Sequence, residues 1–415
     1  MVSRTAARLA DDVPVIAAAH FAAEADRFHP EENPRGYVNL GTAENRLGWD
    51  LLEPLLTGTR RRRPEHAHYG LPHGTPELRE AVARLLGGPW RTAVDPEDLV
   101  VTAGATAALD IAATTACDPG DVILVPAPYY SAFDTDLTGR SGARLVPVPT
   151  DPGAGFALDP DAVERALAGL RRDGATVRAV AITSPTNPQG TTHPPAVLRD
   201  LLRLAAAHDL DVISDEVYAH SVFGPEPFTG VLDPDVLGGV PEFDPDRLHV
   251  VWGFAKDFGL SGLKVGVLRT SGAPRAAARA LAYFATVSTD TQALLADLLA
   301  DRDGVARLLA ENRRRLLRSY THTTARLTEH GIGYLPATAG FSIWLDLRDR
   351  LAEPTFTAER RLWRHVLDQG RVNVLPGGAF ASPEPGWFRL CHAVDAALVA
   401  TGVARVAEAT AGRKP

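Results

Sequence analysis

Against forty arginines the sequence keeps three lysines. Two of them, Lys256 and Lys264, fall in the single run GFAKDFGLSGLKVG, and the third, Lys414, lies in the C-terminal tail. A guanidinium stays protonated at any physiological pH, whereas a lysine amine in a desolvated pocket can lose its proton and form a Schiff base. Lys256 follows the apolar run VVWGF and precedes a glycine-rich turn, which makes it the candidate for that covalent chemistry. A Schiff-base cofactor built on a phosphorylated pyridine ring needs further partners, and the chain offers a candidate for each. Asp215, in ISDEVY, could pair with a protonated ring nitrogen; taken singly it reads more readily as a helix N-cap, and Lys256 about forty residues on reverses that order. Tyr218 and Asn187, the latter in TSPTNPQG, could bond the ring's phenolate oxygen, and Asn187 could also reach a substrate carboxylate. In TAGATAALD, Gly104, Ala105 and Thr106 stand where a strand turns into a helix, a place suited to phosphate. Tyr129 and Tyr130, in PAPYY, offer an aromatic face for stacking on the ring. Arg389, amid the apolar residues of GWFRLCHA, calls for an anionic partner, and a substrate α-carboxylate would serve.

The elements that must position these groups follow from the alternation of apolar and amphipathic runs. DLVVTAG, DVILVPAP, ARLVPVP, VRAVAITSP, LDVISDE and DRLHVVWGF read as strands. ATAALDIAATTA, PDAVERALAGLRR and PAVLRDLLRLAAAH read as the helices between them. That order predicts βαβ units and a mostly parallel sheet covered on both faces, with ligands beyond the carboxyl ends of the strands. The candidate residues sit at those ends. After about residue 300 a long arginine-rich helix leads into a smaller α+β unit ending in WFRLCHA. The chain is read as an N-terminal segment (1–60) packing with the small domain, a large cofactor-binding domain (61–300) and a small domain (301–415). A net charge of −8 argues against a nucleic-acid partner, which would demand a basic face. Cys117 and Cys391 are too few for a disulfide framework or a zinc site, so no metal is expected. Asp11 and Asp12 interrupt the Ala-rich start, and no run is long enough to span a bilayer. The expected location is the cytoplasm, without a membrane.

In this order the motifs resemble those of the fold-type I pyridoxal-phosphate enzymes, the class I/II aminotransferase superfamily. TSPTNPQG and SDEVY are shared widely there, while AENRL, KDFGLSG and EPGWFRLC are most similar to the 1-aminocyclopropane-1-carboxylate (ACC) synthase branch. The resemblance runs from about residue 36 to 395. It implies an α/β fold with a seven-stranded, mostly parallel sheet, and pyridoxal 5′-phosphate as cofactor. Lys256 would then be the Schiff-base lysine and general acid/base, and Asp215 the pyridinium partner. Tyr218 and Asn187 would bond the ring oxygen, Tyr130 would stack on the ring, and Ala105 and Thr106 would meet the phosphate. Arg389 would clamp the substrate α-carboxylate, and Ala43 and Glu44 would line the substrate pocket. Tyr69 would reach the phosphate of a neighbouring subunit, giving a homodimer with shared sites. The implied activity forms a quinonoid from an amino acid, S-adenosylmethionine or a similar compound with a γ leaving group. Cyclisation, γ-elimination or carbon–carbon bond formation with a second substrate would follow. Ordinary aminotransfer to 2-oxoglutarate or another 2-oxo acid is the alternative.

The chain also departs from the pattern of that family. Where relatives usually have serines one and three positions before the lysine, this sequence has Ala255 and Gly253. Where they usually have arginine eight positions after it, this sequence has Lys264. A bidentate phosphate partner becomes a point charge and a hydroxyl is lost, which predicts weaker cofactor retention. FDTDLTGRSG keeps only Arg140 of the arginines found there in plant-type ACC synthases. The run Arg60 to Arg63 is either a solvated loop or, if Tyr69 crosses a dimer, a lure for an anionic second substrate.

Overall fold

This computed structural model describes residues 15–59 and 63–411, together with 2–3, 6–7 and 10. Lys414 and Arg60 to Arg62 lie outside the described residues. After a short first strand, β1 (Val38–Asn39), come the strands of the main sheet. They are β2 (Leu99–Thr102), β3 (Val122–Ala127), β4 (Arg144–Pro149), β5 (Val177–Thr183), β6 (Asp211–Asp215), β7 (Leu248–Gly253) and β8 (Gly266–Arg269). These seven lie side by side in the order β2-β8-β7-β6-β5-β3-β4. All neighbouring pairs are parallel except those made by β8, which runs antiparallel to β2 and β7.

Alternation along each strand sorts the side chains into two cores. Val212 and Val250 pack on one face with Leu198 and Leu201, whereas Ile213 and Val251 pack on the other with Ile111 and Ala112. Helices cover both faces, among them α1 (Ala105–Ala116), α2 (Pro160–Arg172) and α3 (Pro195–Ala207). The start of α2 shows how locally these are encoded. Asp159 accepts from the Asp161 amide, Pro160 takes the first turn, and Arg171 and Arg172 close the last one against the helix dipole.

After residue 300 the 28-residue helix α4 (Arg302–Glu329) leads to a second, four-stranded sheet. Its strands are β9 (Gly333–Leu335), β10 (Ser342–Asp346), β12 (Leu375–Pro376) and β13 (Trp387–Cys391), in the order β12-β13-β10-β9. Helices α5 (Phe356–Asp368) and α6 (Ala396–Thr410) pack in the same unit. The beginning of the chain joins it. Strand β1 pairs in parallel with β11 (Val372–Asn373), and Val38 and Leu40 share a core with Ile343, Phe388 and Val403. The segment that follows, residues 41–47, crosses from there to the carboxyl ends of the large sheet, where its carbonyls meet Arg389 and Lys256.

Candidate active site

The register of the central strands decides which residues meet. Thr183 of β5 lies opposite Asp215 of β6, which lies opposite Val251 of β7. The segments leaving these strands therefore deliver Asn187, Asp215, Tyr218 and Lys256 to one place. With Ala105, Thr106, Leu109, Tyr130, Asp136 and Val217 they line a single cavity.

Lys256 sits on a helical turn, Phe254–Asp257, whose underside is aromatic. Trp252, fully buried, meets Phe254 and Phe258 edge-on with ring centroids 4.9 and 6.1 Å away. Each such pair contributes roughly 0.5–1.5 kcal/mol beyond its buried area, so the turn is anchored on a rigid base. The Lys256 amine donates to the carbonyl of Ala43 at 2.6 Å. Burial, aided by the positive charge of Arg389, lowers it to about 8, within reach of the free base at physiological pH. Asp215 faces it from the end of β6, almost fully buried, and the Val217 amide at 3.4 Å is its hydrogen-bond donor. Burial pushes this carboxyl up to about 7. Tyr130 and Tyr218 are both pushed above the usual phenol range, chiefly by burial. Tyr129, by contrast, turns away: its hydroxyl donates to Asp134 at 2.8 Å, and it packs as a core residue.

Arg389 enters from the second sheet. Its Nη1 donates to Asn187 Oδ1 at 3.0 Å and its Nη2 to the carbonyl of Gly41, while its guanidinium lies 4.9 Å from the centre of the Phe380 ring. Its Nε is buried and has no partner among the described residues. Glu44 lies on the same strap as Ala43. Although burial works against it, hydrogen bonds from Ser261 (2.6 Å) and Arg46 (2.8 Å) and the charge of Lys256 hold its carboxyl below the usual range.

At the other end of the cavity α1 begins at Gly104, whose φ of 94° is costly for any residue with a side chain. Strand β8 passes so close that a side chain at Gly266 would stand 2.3 Å from the Gly104 carbonyl carbon. Lys264, itself left-handed at φ 53°, lays its terminal carbon and amine over the same turn, 3.4 and 3.5 Å from where a Gly104 side chain would begin. At Gly253 a methyl group would lie 3.7 Å from the Ala105 side chain but only 3.1 Å from the Val265 carbonyl, so that backbone would have to give way.

Besides Tyr129, two further candidates are not brought to the cavity. Tyr69 is fully exposed at the surface, and Arg140 forms an ion pair with Asp110 of α1 at 2.5 Å. One ionisable cavity residue was not singled out from the sequence. Asp136 accepts from Thr106 Oγ1 at 3.1 Å and is pushed up to about 6 by burial, partly offset by Thr106 and the charge of Lys264. The sequence FDTDL holds two carboxylates of identical type, and only their burial tells them apart: Asp134 caps Tyr129, while Asp136 faces the cavity.

The match to known proteins follows the same outline. The family model described as aminotransferase class I and II matches residues 35–406. The chain belongs to that family. It is 37% identical to a 1-aminocyclopropane-1-carboxylate synthase of Glycine max over 381 residues, covering 88% of this chain and 78% of that one. It is 38% identical to 1-aminocyclopropane-1-carboxylate synthase 3 of Oryza sativa subsp. japonica, covering 89% and 86%. Among solved structures, an aspartate aminotransferase from Thermus thermophilus with maleate superposes with a TM-score of 0.80 at 26% identity, covering 99% of both chains.

As a member of the class I and II aminotransferases, the protein is a pyridoxal 5′-phosphate enzyme of the ACC-synthase-like kind. The cavity suits that cofactor. It presents an amine near its neutral form, a buried carboxylate without a cationic hydrogen-bond partner, and a helix N-terminus with a lysine over it. A protonated ring nitrogen would give Asp215 the partner that it lacks, and a carboxylate would give one to the orphaned Arg389 Nε.

Proposed function

We propose that this enzyme takes S-adenosylmethionine, or an amino acid with an equivalent γ leaving group, and closes it to a three-membered ring as its ACC synthase relatives' name describes. When bound, pyridoxal 5′-phosphate supplies an electron sink for the substrate α-carbon. Arg389 binds the α-carboxylate through the guanidinium edge that includes its free Nε, and Asn187 fixes the plane of that guanidinium. Lys256 Nζ takes the α-proton, a task suited to an amine lowered to about 8. With the cofactor bound, Asp215 would keep a proton on the ring nitrogen, Tyr218 and Asn187 would hold the ring oxygen, and Tyr130 would cover the ring face. Ala105, Thr106 and Lys264 would hold the phosphate. The new bond joins the α- and γ-carbons, and the γ-carbon–sulfur bond breaks with its electron pair leaving on sulfur as neutral methylthioadenosine.

The observation that carries this reading is Glu44. It stays anionic on the strap that also touches Lys256 and Arg389, where a sulfonium cation would be drawn in and a 2-oxo acid's second carboxylate would be repelled. Tyr69, exposed and remote from its own cavity, supports a homodimer in which it serves the neighbour's phosphate; Leu71, Tyr283 and Phe284 are further exposed apolar residues. Among the described residues no helix is long and apolar enough to cross a membrane, and the two buried cysteines are unpaired, which supports a cytoplasmic location. The test is incubation of the pure enzyme with S-adenosylmethionine and mass spectrometry of the products. Methylthioadenosine with an equimolar cyclic amino acid is expected. Methylthioadenosine with a ring-opened product would move the assignment to γ-elimination or capture of a second substrate. No methylthioadenosine, with conversion of the cofactor to its amine form by an amino acid and reversal by 2-oxoglutarate, would establish aminotransfer instead.

A further inference from the structure

Three buried polar residues outside the cavity form a connected chain. The Asp257 carboxylate, next to Lys256, accepts from Ser221 Oγ at 2.7 Å, Trp252 Nε1 at 2.9 Å and the His220 amide at 3.0 Å. It thereby fastens the segment just after Tyr218 to the turn that carries Lys256. The Asp257 carbonyl accepts from Asn312 Nδ2 of α4 at 3.2 Å. Asn312 Oδ1 accepts from Asn45 Nδ2 at 2.7 Å, and Asn45 Oδ1 accepts from the Leu47 amide at 3.0 Å. All three residues are at most 8% exposed.

Other bonds also hold the strap 41–47, among them the Arg46 amide to the Ala393 carbonyl (2.9 Å), Arg315 to the Leu47 carbonyl (2.5 Å) and Ser261 Oγ to Glu44 (2.6 Å); the Asn45–Asn312–Asp257 chain is the one that links it through α4 to the residue beside Lys256. Glu44, Asn45 and Arg46 of the strap, with Asp257 and Asn312 opposite, line a cleft of about 270 Å³. Asn312 reaches across from α4 and is satisfied at both ends of its amide. We infer that Asn45, Asn312 and Asp257 form a positioning relay that keeps the substrate strap docked on the lysine turn. In this arrangement the Ala43 carbonyl, the Glu44 carboxylate and the Lys256 amine hold one mutual geometry. The inference rests on the reading above for what the strap binds, but not for how it is held.

Amide hydrogen exchange of the holoenzyme, which needs no substrate, tests the holding. Asn312→Ala is expected to speed exchange in residues 41–47 at least tenfold while leaving β5 and β6 as protected as in wild type. Asn312→Asp keeps the acceptor for Asn45 but loses the donor to Asp257, and is expected to fall between the two. Asn45→Ala cuts the same link from the strap side, should Asn312→Ala fold poorly. With substrate, Asn312→Ala is expected to raise KM at least fivefold with kcat within a factor of two and unaltered visible circular dichroism of the cofactor. Unchanged exchange in 41–47, or equal acceleration across β5 and β6 as in general destabilisation, would overturn the relay. If S-adenosylmethionine proves not to be turned over, the functional reading fails alone and the exchange result still decides the inference.

Discussion

Replacing Asp215 by asparagine separates what this carboxylate costs the empty protein from what it gives the loaded one. Burial raises its carboxyl from 3.8 to about 7, so the folded apoprotein holds the proton more tightly than the unfolded chain does. A carboxyl raised in this way costs stability wherever it must ionise. The cost is absent below 3.8, grows between 3.8 and 7, and is complete above 7. At about 1.36 kcal/mol per pKa unit the full cost is roughly 4 kcal/mol, of which under half is present at pH 5. The amide of the Asp215→Asn variant carries no charge, so the gap in stability between the apo variant and apo wild type should widen by about 2.5 kcal/mol from pH 5 to pH 8. A chain of this length melts with an entropy of about 0.9 kcal/mol per kelvin, so the gap appears as roughly 3 °C in Tm. Measuring the change with pH cancels the constant difference between an amide and a carboxyl. With cofactor bound the sign should reverse, because a charge-assisted bond of about 1.5–3 kcal/mol is lost and the cofactor Kd rises about ten- to a hundredfold. Parallel pH profiles of the two apoproteins, or an unchanged cofactor Kd, would refute the reasoning.

Four further outcomes are expected. Covalent capture of the cofactor by apoprotein, trapped with borohydride at intervals, should quicken about tenfold per pH unit below 8 and level off above it, since only the neutral Lys256 amine attacks; a rise continuing to pH 10 would contradict the lowered value. Lys264→Arg should tighten cofactor binding about fivefold by fluorescence titration, as a forked donor joins the phosphate end. Arg389→Lys should raise KM by about two orders of magnitude while leaving the cofactor spectrum unchanged, and a KM within threefold of wild type would remove Arg389 from carboxylate binding. Mixing inactive Lys256→Ala dimers with Tyr69→Ala dimers should restore roughly a quarter of wild-type turnover at limiting cofactor, because half the dimers are mixed and each has one intact site.

The large sheet was legible because its strands are continuous apolar runs, and strand ends in a parallel sheet converge whatever the loops do. Lys256, Asp215 and Asn187 could therefore be set at strand ends from local sequence, while their roles came from the family resemblance. Arg389 could be read as needing an anion, yet its holders, the Gly41 carbonyl and Asn187, lie 348 and 202 residues away. No local pattern encodes a pairing of that kind. Asp136 was missed for a related reason, since its chemistry comes from burial and not from its neighbours in FDTDL. Asn45 and Asn312 are ordinary polar residues until the fold puts them 2.7 Å apart across 267 positions. Lys264 was singled out by type, but its left-handed backbone, which aims it at Gly104, has no signature in a chain where glycine is the usual occupant of that conformation.

The pairing of β1 with β11, and of Gly41 with Arg389, bears on how the enzyme is made. A chain emerging from a ribosome at about 5–20 residues per second can assemble the seven-stranded sheet, and with it Lys256 and Asp215, once β8 at Arg269 has cleared the exit tunnel. Its first strand must wait, unpaired, until Val372 and Asn373 follow more than a hundred residues later. A nascent chain can thus present the amine and the ring-nitrogen carboxylate before it possesses a substrate clamp, and competence for catalysis waits for elements translated well after the large sheet.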